Sequence, residues 1–230
     1  MNIAFIPVRG GSKSIPLKNI KPLCGKPLVY WTVKAACESY YIDKVFISTD
    51  SVEIKSAVEK FRGEQACFAK IEVVDRSAES ATDTASTEFV MLEFSESHSF
   101  DNIVLVQATS PLLQGADLDC GFRIFEKSGV DSVLSVVPQK RFNWRVDDKG
   151  IAQPSNYDVY NRPRRQDFEG YYVENGAFYI TSREALLRTG NRLSGNIAIC
   201  EMSEDTYFEI DESSDWVISE ALLKRRLEID

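Results

Sequence analysis

Short, unbroken apolar runs alternate with longer stretches whose apolar residues recur at helical spacing. The runs at 2–8, 44–49, 71–74, 102–107 and 132–137 have the length and β-branched content of buried strands. Between them, 27–39, 52–61, 84–94 and 115–127 read as helices. Pro27 suits a first helical turn, Asp50 is placed to cap the second helix, and Asp83 or Thr84 the third. This alternation predicts an α/β fold: a mostly parallel, Rossmann-like sheet with helices on both faces. The rhythm breaks over 138–172, which is rich in Arg, Asn, Asp, Tyr and Trp and has no helical period. That segment reads as an extended arm or β-rich insertion, leaving 1–137 and 173–230 to form the α/β domain. Regular structure resumes with a strand at 176–180, a helix at 182–188, a strand at 197–202 and a helix at 215–226.

Composition narrows the function. Hydrophobic residues make up 43% of the 230-residue chain, enough for one sizeable core. The formal net charge of −8 disfavours general attraction to nucleic acid or to an anionic membrane. An anionic substrate would need a local basic patch, and two exist: the opening loop and Arg162-Pro-Arg-Arg165. The five scattered cysteines form no C-x-x-C, and an odd count argues against a disulfide framework. The single histidine, His98, has no ligand partner nearby, which disfavours a zinc site or a histidine-based triad. The first eight residues lack the charged start of a signal peptide and no apolar run reaches membrane-spanning length, so a cytoplasmic location is expected.

The first apolar run leads into Val8-Arg-Gly-Gly-Ser-Lys-Ser-Ile-Pro-Leu-Lys-Asn19. A loop leaving the C-terminal edge of an open parallel sheet stands where such sheets bind ligands. Gly10 and Gly11 allow close backbone approach and can present N–H groups, while Arg9, Lys13 and Lys18 supply charge. The loop is neither a Walker A sequence nor the dinucleotide fingerprint. It reads as a cradle for a nucleoside triphosphate, against the alternative of a solvated basic turn.

Other groups fall around the same rim. Gln107-Ala-Thr-Ser-Pro-Leu112 ends a central strand and offers polar groups to a base or sugar, or simply satisfies its own backbone. Asp83-Thr-Ala-Ser86 opens a helix whose N-terminus favours anions. In Glu209-Ile-Asp211, side-chain alternation along a strand would put both carboxylates on one face. Such a pair beside phosphates suits Mg²⁺, although taken in isolation an acidic first turn for the last helix explains it better. Tyr171, Tyr172 and Tyr179 flank Glu174-Asn-Gly176, a combination able to line a polyol site.

Taken together, the segments Arg9–Asn19 (R-x-x-S-K-x-I-P-x-K-N), Gly25-Lys-Pro-Leu28, Ser48-Thr-Asp50, Asp83-Thr-Ala-Ser86, Gln107-x-Thr-Ser-Pro111, Arg165-Gln166 and Asn175-Gly176 resemble, in order, the acylneuraminate cytidylyltransferases, or CMP-sialic acid synthetases. The resemblance covers nearly the whole chain. It implies that CTP and a 2-keto-3-deoxy sugar acid, a nonulosonic acid, give a CMP-sugar and pyrophosphate, with Mg²⁺ (or Mn²⁺) as cofactor. By the family pattern Arg9, Gly10, Ser12, Lys18 and Asn19 hold the nucleotide and its phosphates, with Arg9, Lys18 and Asp211 carrying catalysis. Arg76, Ala85 and Ser86 lie at the cytosine and ribose. Gln107, Arg165, Asn175 and Tyr179 meet the sugar, and Asp211 with Glu209 holds the metal. The arm resembles the family's dimerisation element, implying a homodimer. Glu209 stands where the family has aspartate, Arg141-Phe-Asn-Trp-Arg145 replaces a His-Pro stretch, and Leu113 replaces a frequent arginine. The sugar acid therefore stays open among N-acetylneuraminate, its deaminated form, legionaminate and pseudaminate. Related readings are a 3-deoxy-octulosonate cytidylyltransferase, a nucleotidyltransferase for sugar 1-phosphates, and a nucleotide-sensing module without chemistry.

Overall fold

A computed structural model describes residues 1–11 and 14–228. In chain order its elements are β1 (Asn2–Pro7), β2 (Pro22–Leu23), β3 (Lys26–Pro27), α1 (Leu28–Glu38), β4 (Lys44–Thr49), α2 (Val52–Glu59), β5 (Ile71–Asp75), α3 (Thr87–Ser97) and β6 (Asn102–Val106). There follow α4 (Gly115–Phe125), β7 (Ser132–Gln139), β8 (Trp144–Val146), β9 (Ala152–Pro154), β10 (Tyr171–Ser182), α5 (Arg183–Thr189), β11 (Ile197–Glu201) and α6 (Ser213–Leu227). The main sheet runs β11-β7-β10-β6-β1-β4-β5. All its pairings are parallel except those of β10, which opposes both β6 and β7.

The unbroken apolar runs are explained by cover on both faces. On one face Ala4, Ile6, Val45 and Val104 pack under α1, α2 and α4, through Val33, Val58 and Phe122. On the other, Ile3, Phe5, Phe46 and Leu105 meet Val90, Met91 and Phe94 of α3 and Leu186 of α5. A third, smaller cluster joins Ile15, Leu23, Leu112, Ile210, Trp216 and Leu223. It clamps α6 against the opening loop and the turn after β6. Because β1, β4, β5 and β6 are parallel neighbours, the segments following them emerge at one C-terminal rim.

Several local expectations are corrected. Helix α2 is capped by Ser51, whose Oγ accepts from the Ile54 N–H at 3.3 Å, and not by Asp50. Helix α3 starts at Thr87, with Ser86 as its cap, so Asp83 and Thr84 lie outside it. The segment before it is held in turns by Ser77, Ser80 and Thr82, whose side chains take backbone and hydroxyl partners that a helix would have needed differently. Glu209 and Ile210 lie in irregular backbone beyond a 3₁₀ turn (Glu204–Tyr207), so no strand alternation places the two carboxylates. The sheet also takes two residues from each end of the segment read as an arm: Gln139 pairs with Tyr171 and Pro138 with Tyr172. Between them β8 and β9 form a small antiparallel hairpin.

Candidate functional site

The opening loop continues the β1–β4 pairing for one residue, with the Val8 N–H donating to the Ser48 carbonyl at 2.8 Å. Gly10 then approaches the end of β4 so closely that a Cβ there would lie 2.9 Å from that of Ser51. Its N–H donates to Asp50 Oδ1 at 2.9 Å. The expected cradle of N–H groups is therefore corrected at this position, because the Gly10 donor is already taken. Arg9 pairs with Asp83 across the rim, and its carbonyl accepts from Asn19 Nδ2 at 3.2 Å. Ser12 and Lys13 lie outside the described residues.

Leu17 adopts a left-handed backbone, φ 51°, which costs a non-glycine residue about 1–2 kcal/mol. Lys18 follows directly. Its side chain is only 11% exposed, and its ammonium donates to the Ile210 carbonyl at 2.7 Å and to Asp211 Oδ1 at 3.2 Å. Ser14 Oγ donates to the Asp211 carbonyl at 2.5 Å. The loop thus brings Lys18 and Asp211, nearly 200 residues apart in sequence, into one ion pair.

A cavity of about 230 Å³ adjoins the loop, lined in part by Arg9, Arg76, Asp83, Ala85 and Gln107. Arg76 donates to the Ser80 carbonyl, while its Nε is buried with no hydrogen-bond partner among the described residues. Burial lowers the pKa of its guanidinium from the ordinary value, an effect that the charge of Asp50 opposes. Ser86 sits at the mouth of α3, whose unpaired N–H groups make that end favourable to anions.

Beyond Gln107 the sheet carries a polar cluster. Strand β10 breaks register between Glu174 and Tyr179, and Gly176 within the break has φ +65°. A Cβ on Gly176 would stand 1.5 Å from Glu209 Oε1, so the missing side chain makes room for that carboxylate. Burial, and then repulsion from Asp211, raise the Glu209 carboxyl from 4.5 to about 7. Tyr179 donates to Glu174 Oε2 at 2.9 Å, and burial pushes its phenol above the ordinary range. Arg192 lies over the Tyr179 ring at 4.4 Å, with its Nε 3.4 Å from Glu88 of α3. Arg192 was missed in the sequence, because nothing in Gly190-Asn-Arg192 signals a stacked cation.

Two expected sugar-side residues are placed elsewhere. Asn175 is buried at 1% exposure, and its amide donates to the Thr206 hydroxyl at 3.0 Å and carbonyl at 3.2 Å. It braces the turn that precedes Glu209, and a buried amide with its donors committed has none to offer a ligand. Arg165 lines a separate open cavity of about 660 Å³ in the arm, with Arg141, Trp144 and Arg162, the last lying 4.5 Å over Phe142. Among the described residues no group of three or more His, Cys, Asp and Glu side chains is gathered around a metal-sized point. Glu209 and Asp211 remain as a carboxylate pair, the donor set Mg²⁺ uses when phosphate oxygens complete its shell.

Two outcomes follow from this geometry. Gly176→Ala should lower the thermal midpoint and displace Glu209, since the left-handed backbone and the overlap both oppose a Cβ. A melting curve matching the wild type would contradict the packing. For Glu209 the sign is set by a folded pKa above the unfolded one: the folded state holds the extra proton between pH 4.5 and about 7. Metal-free protein should therefore lose stability as pH rises through that window, and Glu209→Gln should flatten that part of the melting profile.

The cytidylyltransferase family model matches residues 3–221. This chain belongs to that family. It is 38% identical over 226 residues to N-acylneuraminate cytidylyltransferase A of Danio rerio, covering 96% of this chain and 50% of the relative. The corresponding enzyme of Oncorhynchus mykiss is 40% identical, with the same coverage. The chain thus spans about half the length of these curated relatives. It is 31% identical to post-translational flagellin modification protein B of Campylobacter coli, covering 97% of this chain and 95% of that one. Two solved structures share the family's fold. CMP:2-keto-3-deoxy-manno-octonic acid synthetase complexed with CTP superposes with a TM-score of 0.70 at 17% identity, covering 98% of this chain and 99% of that one. 4-Diphosphocytidyl-2C-methyl-D-erythritol synthase of Anaerococcus prevotii superposes with a TM-score of 0.69 at 14% identity, covering 97% and 96%. The motif resemblance and the predicted α/β architecture both stand. No helix among the described residues is long and apolar enough to cross a membrane.

Proposed function

We propose that the protein transfers a cytidylyl group from CTP to the anomeric hydroxyl of a nonulosonic acid. The sugar oxygen attacks the α-phosphorus, the bond to the bridging oxygen breaks, pyrophosphate leaves, and the hydroxyl proton is released. The observation that carries this reading is the largely covered side chain of Lys18, whose ammonium is fixed at the rim between the Ile210 carbonyl and Asp211. A transfer of this kind depends on positioning and on neutralising phosphate charge, which a preorganised cation supplies.

In this reading Arg9, Lys18 and Asn19 engage the phosphates, while Arg76, Ala85 and Ser86 border the base and ribose. Gln107 and Tyr179 face the sugar acid. Glu209 and Asp211 would hold Mg²⁺ or Mn²⁺, which when bound offsets phosphate charge. Their mutual repulsion is what a divalent cation would relieve. The names of the curated relatives support an acylneuraminate-type acceptor. The arm (138–172) would serve as a dimerisation element, bringing Arg165 to a neighbouring subunit's site, which accounts for its distance from the loop in one chain. A reducing, cytoplasmic location is in keeping with the free state of all five cysteines.

Pyrophosphate release tests the proposal. Purified protein with CTP and Mg²⁺ is offered nine-carbon and eight-carbon keto acids and sugar 1-phosphates. Release with a nine-carbon keto acid is expected. Release only with a sugar 1-phosphate, or with no acceptor, would overturn the reading.

A further inference from the structure

Asp50 takes no part in the proposed transfer, yet it touches the loop on which that transfer depends. Ser51 caps α2 and leaves the Asp50 carboxylate free to turn toward β1. The ladder between β1 and β4 ends with the Val8–Ser48 bond, and the next tie between the two segments is the Gly10 N–H to Asp50 Oδ1. Gly10 reaches this position only because it lacks a Cβ. Asp50 also lines a cavity of about 560 Å³ together with Arg76, and Arg76 in turn lines the 230 Å³ cavity beside Arg9. One carboxylate therefore faces both the bend that aims Arg9 and the guanidinium at the nucleobase side. A carboxylate accepting a backbone N–H makes one of the stronger neutral-donor bonds.

We infer that Asp50 is a positioning residue for nucleotide binding: it fixes the bend at Gly10, and through it the setting of Arg9 relative to Arg76. It acts without contacting the nucleotide, since a carboxylate and a triphosphate repel. The inference rests on the cytidylyl-transfer reading.

The test compares Asp50→Ala with Asp50→Asn. Asparagine keeps an oxygen that can accept from Gly10, and alanine does not. Alanine should raise KM for CTP about tenfold, the scale of one hydrogen bond to a charged group, with kcat within about twofold of wild type. Asparagine should restore most of the affinity. Hydrogen exchange at the Gly10 amide should accelerate in the alanine variant and stay protected in the asparagine variant. Unchanged KM and protection in the alanine variant would overturn the inference. So would an asparagine variant as impaired as alanine, or a loss confined to kcat. Wild-type protein that fails to bind CTP would instead overturn the transfer reading, and the inference with it.

Discussion

Lys18→Ala should lower kcat by about a hundredfold or more, the loss seen when one preorganised charge stabiliser is removed. In free energy that is about 2.7 kcal/mol of transition-state stabilisation. The size of the effect follows from where the ammonium sits. Its side chain is 11% exposed, so its field is weakly screened, and two acceptors hold it before any substrate arrives. Leu17 spends backbone strain immediately upstream, which the surrounding contacts must over-determine to persist. Pyrophosphate release at saturating CTP measures the loss, and a melting curve shows whether the fold is intact. A folded variant with unchanged turnover would remove Lys18 from the chemistry.

Asp211→Asn should raise the Mg²⁺ concentration for half-maximal activity by at least about tenfold, the scale on which even outer-shell partners of a metal act. Asp211 contributes twice. Its carboxylate pairs with Lys18, and its charge adds to the effect of burial in raising the neighbouring Glu209 carboxyl to about 7. Asparagine removes the Asp211 charge from the pair while the Ile210 carbonyl still holds Lys18, so a shift in metal response separates ligation from lysine placement. A Mg²⁺ titration that overlays the wild type would count against Asp211 as a ligand. Glutamate at 209 reaches one bond further than aspartate, and Gly176 supplies the space that the extra length requires.

The centre of the sheet was legible because its runs are buried on both faces, a pattern that apolar continuity records directly. The runs at 2–8, 44–49 and 102–107 became the adjacent strands β1, β4 and β6. The opening loop was legible through its glycines and cations. What the sequence could not show was which acceptor each donor meets. Asp50 and Ser51 are both good helix caps, and only the approach of Gly10 assigns Asp50 to the loop. Asp83 looked like a cap but pairs with Arg9, because the turns of 77–85 delay the helix to Ser86. Asn175 carried a family motif, yet its amide is spent on Thr206. The Glu209–Asp211 pair was found by its spacing for a reason that does not hold, since irregular backbone and not strand alternation brings it to Lys18. Arg192 gave no signal, since stacking on Tyr179 is purely tertiary.

The central claim is that the bend after β1 receives the triphosphate of CTP. A crystal structure of the protein soaked in CTP and Mg²⁺ tests it most directly. The account predicts phosphates against Arg9 and Lys18, with the base in the cavity beside Arg76 and Ala85. A triphosphate lodged among the arm arginines, Arg141, Arg162 and Arg165, with the bend left empty would contradict it.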